Sequence, residues 1–565
     1  MHSNTSRRTF VKGLAAGGLL GGLGLWRTPV WAVTSPGEPQ VLAGTDFDLL
    51  IGETPVNITG NPRTAMTING GIPGPLLRWR EGDTVTLRVK NKLNADTSIH
   101  WHGILLPANM DGVPGLSFHG IEPDGMYVYQ FKVRQNGTYW YHSHSGLQEQ
   151  SGVYGPLVID AKEPEPFQYD RDYVVMLTDW TDEDAVDLMK TLKKQSDYYN
   201  YNKPTVGDFI HDVSEKGWGS TVADRKMWAE MKMNPTDLAD VSGATYTYLM
   251  NGQAPNSNWT GVFRPGEKLR LRFINGSAMT YFDVRIPGLK MTVVAADGLH
   301  VKPVSVDEFR IAVAETYDVI VEPTEAAYTL FAQSMDRTGF ARGTLAAKAG
   351  LSAPVPPLDP RPLVTMDDMG MGGMDHGSMA GMDHSAMAMP GMQSHPETEK
   401  DNPLVDMQAM TTTPKLDDPG LGLRNNGRRV LTYSDLRSTF EDPDGRDPSR
   451  TIELHLTGHM EKFAWSFNGV KFSDAEPVRL KYGERVRVVL VNDTMMTHPI
   501  HLHGMWSDLE DENGEFMVRK HTIDMPPGSR RSYRVTADAL GRWAYHCHLL
   551  YHMEMGMFRE VRVEE

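Results

Sequence analysis

The stretch NGVKFSDAEPVRLKYGERVRVVLVN, residues 468–492, reads as a turn, a second turn and an alternating strand. Asn468-Gly469 is the first turn signal. Gly483-Glu484 then opens a run in which charged and apolar residues alternate up to Asn492. The same arrangement occurs twice upstream. Asn69-Gly70 and Gly82-Asp83 precede TVTLRVKN, ending at Asn91; Asn251-Gly252 and Gly266-Glu267 precede KLRLRFIN, ending at Asn275. In each copy the closing Asn stands nine residues after the Gly of the second turn. Short period-2 runs bounded by Gly, Pro and Asn predict β-strands, and many such strands predict sandwiches or barrels. The chain therefore reads as three repeats of one β-rich unit.

The repeats differ in their histidines. Nine and eleven residues beyond the closing Asn stand His100 and His102 in the first copy and His501 and His503 in the third. The second copy carries Val284 and Ile286 instead. Near the end of the outer repeats, Gly137 leads to His142-Ser143-His144 and Gly541 to His546-Cys547-His548, each after five residues. The middle repeat has no histidine around Tyr328 to Ser334, so it is expected to space and orient the other two.

Ten of the twenty histidines fall in HWHG (100–103), HSH (142–144), HPIHLHG (498–504) and HCHLLYH (546–552). On a strand, residues i and i+2 share a face, so each His-X-His pair can hold one metal or bridge into a cluster. Four pairs supply eight imidazoles to an expected interdomain seam. Cys547, the single cysteine, lies between two of them and faces the other way. With His498, His552 and Met557 it makes His₂Cys plus a thioether, the composition of a blue-copper electron-transfer centre. Among the remaining histidines, His119, His211, His300, His455, His459 and His521 lack partner spacing and read as surface or satisfied core residues.

The 565 residues include 56 basic and 72 acidic side chains. Residues 1–32 read as a twin-arginine export signal: Ser6-Arg7-Arg8-Thr9-Phe10-Val11-Lys12, an apolar run Gly13 to Leu25, and a small-residue cleavage site at Ala32. Its removal leaves 52 basic against 72 acidic side chains, a charge of −20, which argues against nucleic-acid binding. One cysteine excludes an internal disulfide framework. The expected product is a soluble, monomeric periplasmic protein with no membrane span.

Two regions break the repeat. Residues 181–240 predict a helical insertion, with Thr181 as N-cap and Ala185, Leu188, Met189 and Leu192 on one face. Residues 351–425, rich in Pro, Gly, Asp and Met, predict a flexible linker. The domains are then 45–162, 170–350 and 426–565.

In order and spacing, the four histidine motifs resemble those of the three-domain multicopper oxidases, over about residues 45 to 565. The leader, the insertion and MDHGSMAGMDHS (374–385) are similar to the periplasmic copper-resistance subgroup. The resemblance implies three cupredoxin-like Greek-key β-sandwiches in an all-β chain and four copper ions. His498, Cys547, His552 and axial Met557 would hold the type 1 copper, and His100 and His501 the type 2. One type 3 copper would take His102, His142 and His548; the other would take His144, His503 and His546. Asp111 matches a carboxylate that supplies protons near the type 2 copper. The position after His552, a Glu in some bacterial members, is Met553 here, and Glu554 is left without a role.

Between 366 and 392 stand nine methionines in 27 residues: Met366, Met369, Met371, Met374, Met379, Met382, Met387, Met389 and Met392. His376 and His384 repeat there as Met-Asp-His. Thioethers are soft ligands that select Cu(I) and need no deprotonation, so this segment is expected to capture Cu(I). Three functions follow: a cuprous oxidase that reduces dioxygen to water for periplasmic copper tolerance, a laccase-like phenol or siderophore oxidase, and a copper-sequestering protein. The first is preferred, because sequestration needs no thiolate site beside an imidazole cluster.

Overall fold

Each Asn-Gly pair makes a tight two-residue turn, closed by one bridge (Ile68 to Gly71, Met250 to Gln253, Phe467 to Val470), through which the chain leaves one sheet for the other. In the computed structural model, which describes residues 39–372 and 392–565, Asn69, Asn251 and Asn468 have φ of 54°, 51° and 52°, and the glycines that follow have 80°, 76° and 70°. Both central residues are left-handed, as a type I′ turn requires. The Asn side chains also hold the neighbouring upstream strand, each accepting from a backbone N–H: Leu50, Met176 and His455.

The three alternating runs become the central strands Thr84–Asn91, Leu269–Asn275 and Arg485–Asn492. Each lies between one parallel and one antiparallel partner: Asp46–Val56 and Met126–Lys132, Arg171–Thr181 and Thr316–Val321, Arg450–His459 and Arg530–Thr536. A second, five-stranded sheet packs on each, so the chain forms three cupredoxin-like Greek-key β-sandwiches. The closing Asn does the same work in all three. Its amide N–H₂ donates to two carbonyls: Ala95 and Ile121 for Asn91, Thr280 and Ile311 for Asn275, Met496 and Met525 for Asn492.

Alternation does not mean a solvent face in the middle unit. Leu269–Asn275 is buried at every position. Arg270 and Arg272 turn toward carboxylates, Arg270 to Glu165 and Asp318, Arg272 to Asp172. Paired in this way, charged side chains can be buried between units.

The insertion is helical, as Ala185–Lys194, Val206–Lys216 and Trp218–Met231. Its cap corrects the expectation. Thr181 ends the strand Arg171–Thr181, and the N-cap is Asp184, whose carboxylate accepts from Val186 N and Asp187 N. Thr181 is held instead by the hydroxyl of Thr245.

The expected flexible linker is irregular but not loose in its described parts. Val364, Met369, Met407, Ala409, Leu416 and Leu423 are buried. Its backbone is tied to both neighbours, through Val364 N to Pro235 O and Asp406 N to Gly458 O. These apolar residues fill gaps between two sandwiches, so they show no period. Residues 1–38, which include the leader 1–32, and residues 373–391 lie outside the described residues. Among the described residues no helix is long and apolar enough to cross a membrane.

Candidate metal centres

The strand pairing of the outer sandwiches decides where the histidines meet. His100–His102 pairs with Gly137–His142 so that His100 faces His142, and His498–Leu502 pairs with Gly541–Cys547 so that His501 faces His546. The matching pair in the middle unit is Val284 and Ala332. The first and third units then close on each other. His100 stacks on His503 with ring centroids 3.9 Å apart, and His102 on His501 at 3.8 Å. His142 and His548 bring their Nε2 atoms to 3.3 Å, as do His144 and His546, and His503 and His546 approach to 3.0 Å.

The outward nitrogens of these rings are anchored. His100 Nδ1 contacts the Asp111 carbonyl at 2.8 Å, and His501 Nδ1 the His521 carbonyl at 2.6 Å. His102 Nε2 lies 3.2 Å from His521 Nδ1 and 3.3 Å from the Thr522 hydroxyl. The other nitrogens, His100 Nε2, His501 Nε2 and His102 Nδ1, are buried with no partner among the described residues. Buried polar atoms are rarely left so. A cavity of about 10 Å³ lined in part by His100, His501, His503 and His521 adjoins them, room for about one water. Burial pushes the pKa of His102, His142, His144, His501, His503 and His548 well below the ordinary imidazole value, and that of His546 down to about 3. Neutral rings with open lone pairs are the form that binds metal.

Two carboxylates stand behind this cluster. Asp111 Oδ2 lies 2.8 Å from His503 Nδ1 and Oδ1 lies 3.3 Å from His100 Nδ1, so one side chain joins two rings of different strands. Gly112 permits this approach. Its φ is +78°, and a side chain there would collide with the Ile99 carbonyl. Glu149, which sequence reasoning missed, lies 2.7 Å from His142 Nδ1 and is 2% exposed. Burial, then the charge of Asp179, raises its pKa well above the usual carboxylate range. His521 was also missed. It belongs to the seam, against His102, and Asp297 accepts from its backbone N–H.

On the far face of the same strand is a second centre. Cys547 Sγ lies 3.5 Å from His498 Nδ1 and 4.0 Å from His552 Nδ1, and these two nitrogens are 3.1 Å apart. Met557 is buried in the same core, and its carbonyl accepts from Cys547 N. Burial pushes the Cys547 thiol well above its ordinary value and both imidazoles well below theirs. Only a cation among these groups would favour the thiolate. The outer nitrogens are again held: His498 Nε2 by the Thr494 hydroxyl at 2.7 Å, and His552 Nε2 by Asp240 at 2.7 Å. Trp465 stacks on His552 with centroids 3.9 Å apart. Asp240 comes from the end of the 181–240 insertion, more than three hundred residues upstream, with no pattern to announce it. Met553 and Glu554 lie in the helical turn Leu550–Glu554 rather than on a strand.

The described part of the Met-rich segment is mixed. Met369 is 0% exposed and packs in the core, a correction to its expected role as an accessible ligand. Met366 and Met371 are partly buried, and Met392 is 43% exposed. Met374, His376, Met379, Met382, His384, Met387 and Met389 lie outside the described residues.

Three segments match the multicopper oxidase family: residues 51–164, 171–349 and 445–565. The chain is 80% identical to a copper resistance protein A homolog of Pseudomonas syringae pv. tomato, over 100% of both chains. It is 74% identical to copper resistance protein A of Escherichia coli, over 99% of each. In fold it is similar to the crystal structure of Fet3p, a multicopper oxidase that functions in iron import, with a TM-score of 0.65 at 19% identity, covering 93% of this chain and 91% of that one.

Proposed function

The chain belongs to the multicopper oxidases, and from that membership we propose that it oxidises Cu(I) to Cu(II) in the periplasm, passing four electrons to dioxygen and so conferring copper tolerance. The balance is four Cu(I), one O₂ and four protons giving four Cu(II) and two waters. Four resident coppers fit the residues present: open nitrogens on neutral rings, and a thiol that only a cation would ionise. When bound, they supply one-electron oxidation at the thiolate and four-electron reduction of dioxygen among the imidazoles.

In this reading His498, Cys547, His552 and Met557 would hold the type 1 copper, and His100 and His501 the type 2. The type 3 pair takes His102, His142 and His548 on one side and His144, His503 and His546 on the other. Cys547 joins the two centres covalently, since its neighbours in the chain are His546 and His548. Asp111 and Glu149 orient the cluster rings where protons must arrive; Glu149, a buried carboxyl with a raised pKa, keeps its proton until one is needed. Export rests on Arg7-Arg8 and the leader around them, and the mature chain acts as a monomer.

The observation that carries Cu(I) over a phenol, beyond the relatives' names, is the covering of His552. Its ring is fully buried, stacked by Trp465 and closed by Asp240. A bulky ring cannot reach it without displacing the insertion, whereas a small cation need not make ring contact. Oxygen uptake by one copper-loaded sample, given Cu(I) and then a bulky phenol, tests this. A higher kcat/KM for Cu(I) is expected; a higher value for the phenol contradicts the reading.

A further inference from the structure

After the Met-rich segment the chain returns to the third sandwich at His395, and the side chains it meets belong to neither centre above. His395 and Glu399 come from this returning stretch, Glu399 in the short turn Glu397–Glu399. His455 comes from the strand Arg450–His459, and Asp493 follows the strand Arg485–Asn492. Asp493 Oδ2 lies 2.6 Å from His455 Nδ1 and 3.2 Å from His395 Nδ1. Glu399 Oε2 lies 3.4 Å from His395 Nδ1, and Oε1 lies 3.7 Å from His455 Nδ1. The two rings are 5.2 Å apart at 70°. Both carboxylate side chains are wholly buried.

The outer hydrogen bonds of these side chains fix which atoms face the centre. His395 Nε2 is bonded to the Ala409 carbonyl, which can only accept, so this nitrogen carries the proton of the neutral ring and leaves a lone pair on Nδ1. His455 Nε2 faces Glu453 in the same sense. Asp493 Oδ1 accepts from Ala409 N, which turns Oδ2 toward the rings. His395 Nδ1 and Glu399 Oε1 are buried with no hydrogen-bond partner among the described residues. Gln408 Nε2 donates to Glu399 Oε2, so one oxygen of each carboxylate has a neutral donor, but two buried negative charges facing two lone pairs still call for positive charge between them. That charge is either two protons or one divalent cation. Burial works to lower both imidazole pKa values, but the carboxylates raise that of His395 to about 10 and that of His455 as well. The centre therefore draws in protons when no metal is bound.

We propose that His395, Glu399, His455 and Asp493 form a further metal site, an N₂O₂ set for a divalent transition-metal ion, separate from the four oxidase coppers. Imidazole and carboxylate favour Cu(II) and Zn(II) over Cu(I), the opposite preference to the thioethers just upstream, and the affinity order of divalent ions puts Cu(II) first. Two ligands come from the returning stretch and two from the sandwich, so the ion pins the end of the Met-rich segment to the third domain. Its binding displaces the imidazole protons. The site rests on its own four residues and stands whether the oxidase substrate is Cu(I) or a phenol.

The test is metal binding by the full-length holoenzyme, already carrying its four coppers, dialysed against Zn(II) chloride and separately against Cu(II) chloride. Wild type is expected to hold at least one further equivalent of either ion. His395→Gln and Glu399→Gln, each on the returning stretch rather than in the sandwich, are expected to hold one equivalent fewer, or to bind it at least about tenfold more weakly. The ion should also raise the thermal midpoint of wild type and not of the variants. His455→Gln is the deeper substitution; should it misfold, the two milder variants decide. Equal Zn(II) binding in wild type and in folded, blue His395→Gln and Glu399→Gln would overturn the proposal, as would no further equivalent in wild type.

Discussion

Cys547→Ser exchanges one soft ligand atom for a hard one at nearly constant volume. It is expected to abolish the thiolate-to-copper absorption and all turnover while the imidazole cluster keeps its metal, measured by visible spectroscopy and copper content. A variant that stays blue would move the type 1 centre elsewhere. Asp240 acts one bond further out, through His552 Nε2. Asp240→Asn should keep the blue band and lower kcat/KM for Cu(I) by about 10–100-fold, the usual cost of losing a partner that orients a metal-bound ring. The histidine clusters were legible because His-X-His on a strand puts both rings on one face and the repeats put the pairs at matched positions. Asp240 and Glu149 were not. Each reaches its histidine through the closed fold, from an insertion or a loop where an acidic residue is ordinary. His521 was passed over for the same reason, since only the approach of the first domain to the third brings it to His102.

Turns carry the strongest signal among the elements, and the closing asparagines show why. Asn492 ties two buried carbonyls, at 2.8 and 2.7 Å. Asn492→Ala would leave both unsatisfied, at a cost of about 1–3 kcal/mol each. Thermal unfolding followed by loss of the blue band should therefore begin several degrees lower than in wild type; an unchanged midpoint would deny the Asn its role. Helix boundaries were less legible. Thr181 and Asp184 are both good caps, and the strand's demand for Thr181 decides between them. The linker misled for a different reason: its buried residues fill gaps between two sandwiches, where no period applies. The same burial bears on how Cu(I) capture by the Met-rich segment is tested. Met369 is a core residue, so the informative deletion is 373–391 rather than the whole of 366–392. That deletion should impair Cu(I) oxidation and copper tolerance with the blue band intact, and a bulky phenol should be oxidised as well or better. Unchanged Cu(I) kinetics would make the segment a connector.

Across the whole molecule, the middle sandwich positions a centre to which it gives no cluster ligand. Thr138, at the start of the strand that leads to His142, donates to Asp318 and accepts at its carbonyl from Thr316. On the other side Asp297 accepts from the backbone of His521 and Thr522, and Lys520 lies 3.0 Å from it. One domain thus grips the histidine-bearing sheets of both neighbours, which gives the blank repeat its purpose. The three repeats could be read from the sequence; the buried arginines and carboxylates that lock them could not, because alternation looks the same whether the polar face meets water or another domain. The proposed reaction takes electrons one at a time at the Cys547 centre and passes four together to dioxygen at the seam. The most direct measurement is the stoichiometry of the copper-loaded enzyme, with Cu(I) titrated against dissolved oxygen while peroxide is monitored. Four Cu(I) consumed per O₂ with no peroxide released is expected. Two Cu(I) per O₂ with peroxide accumulating, or Cu(I) bound without oxygen uptake, would contradict it.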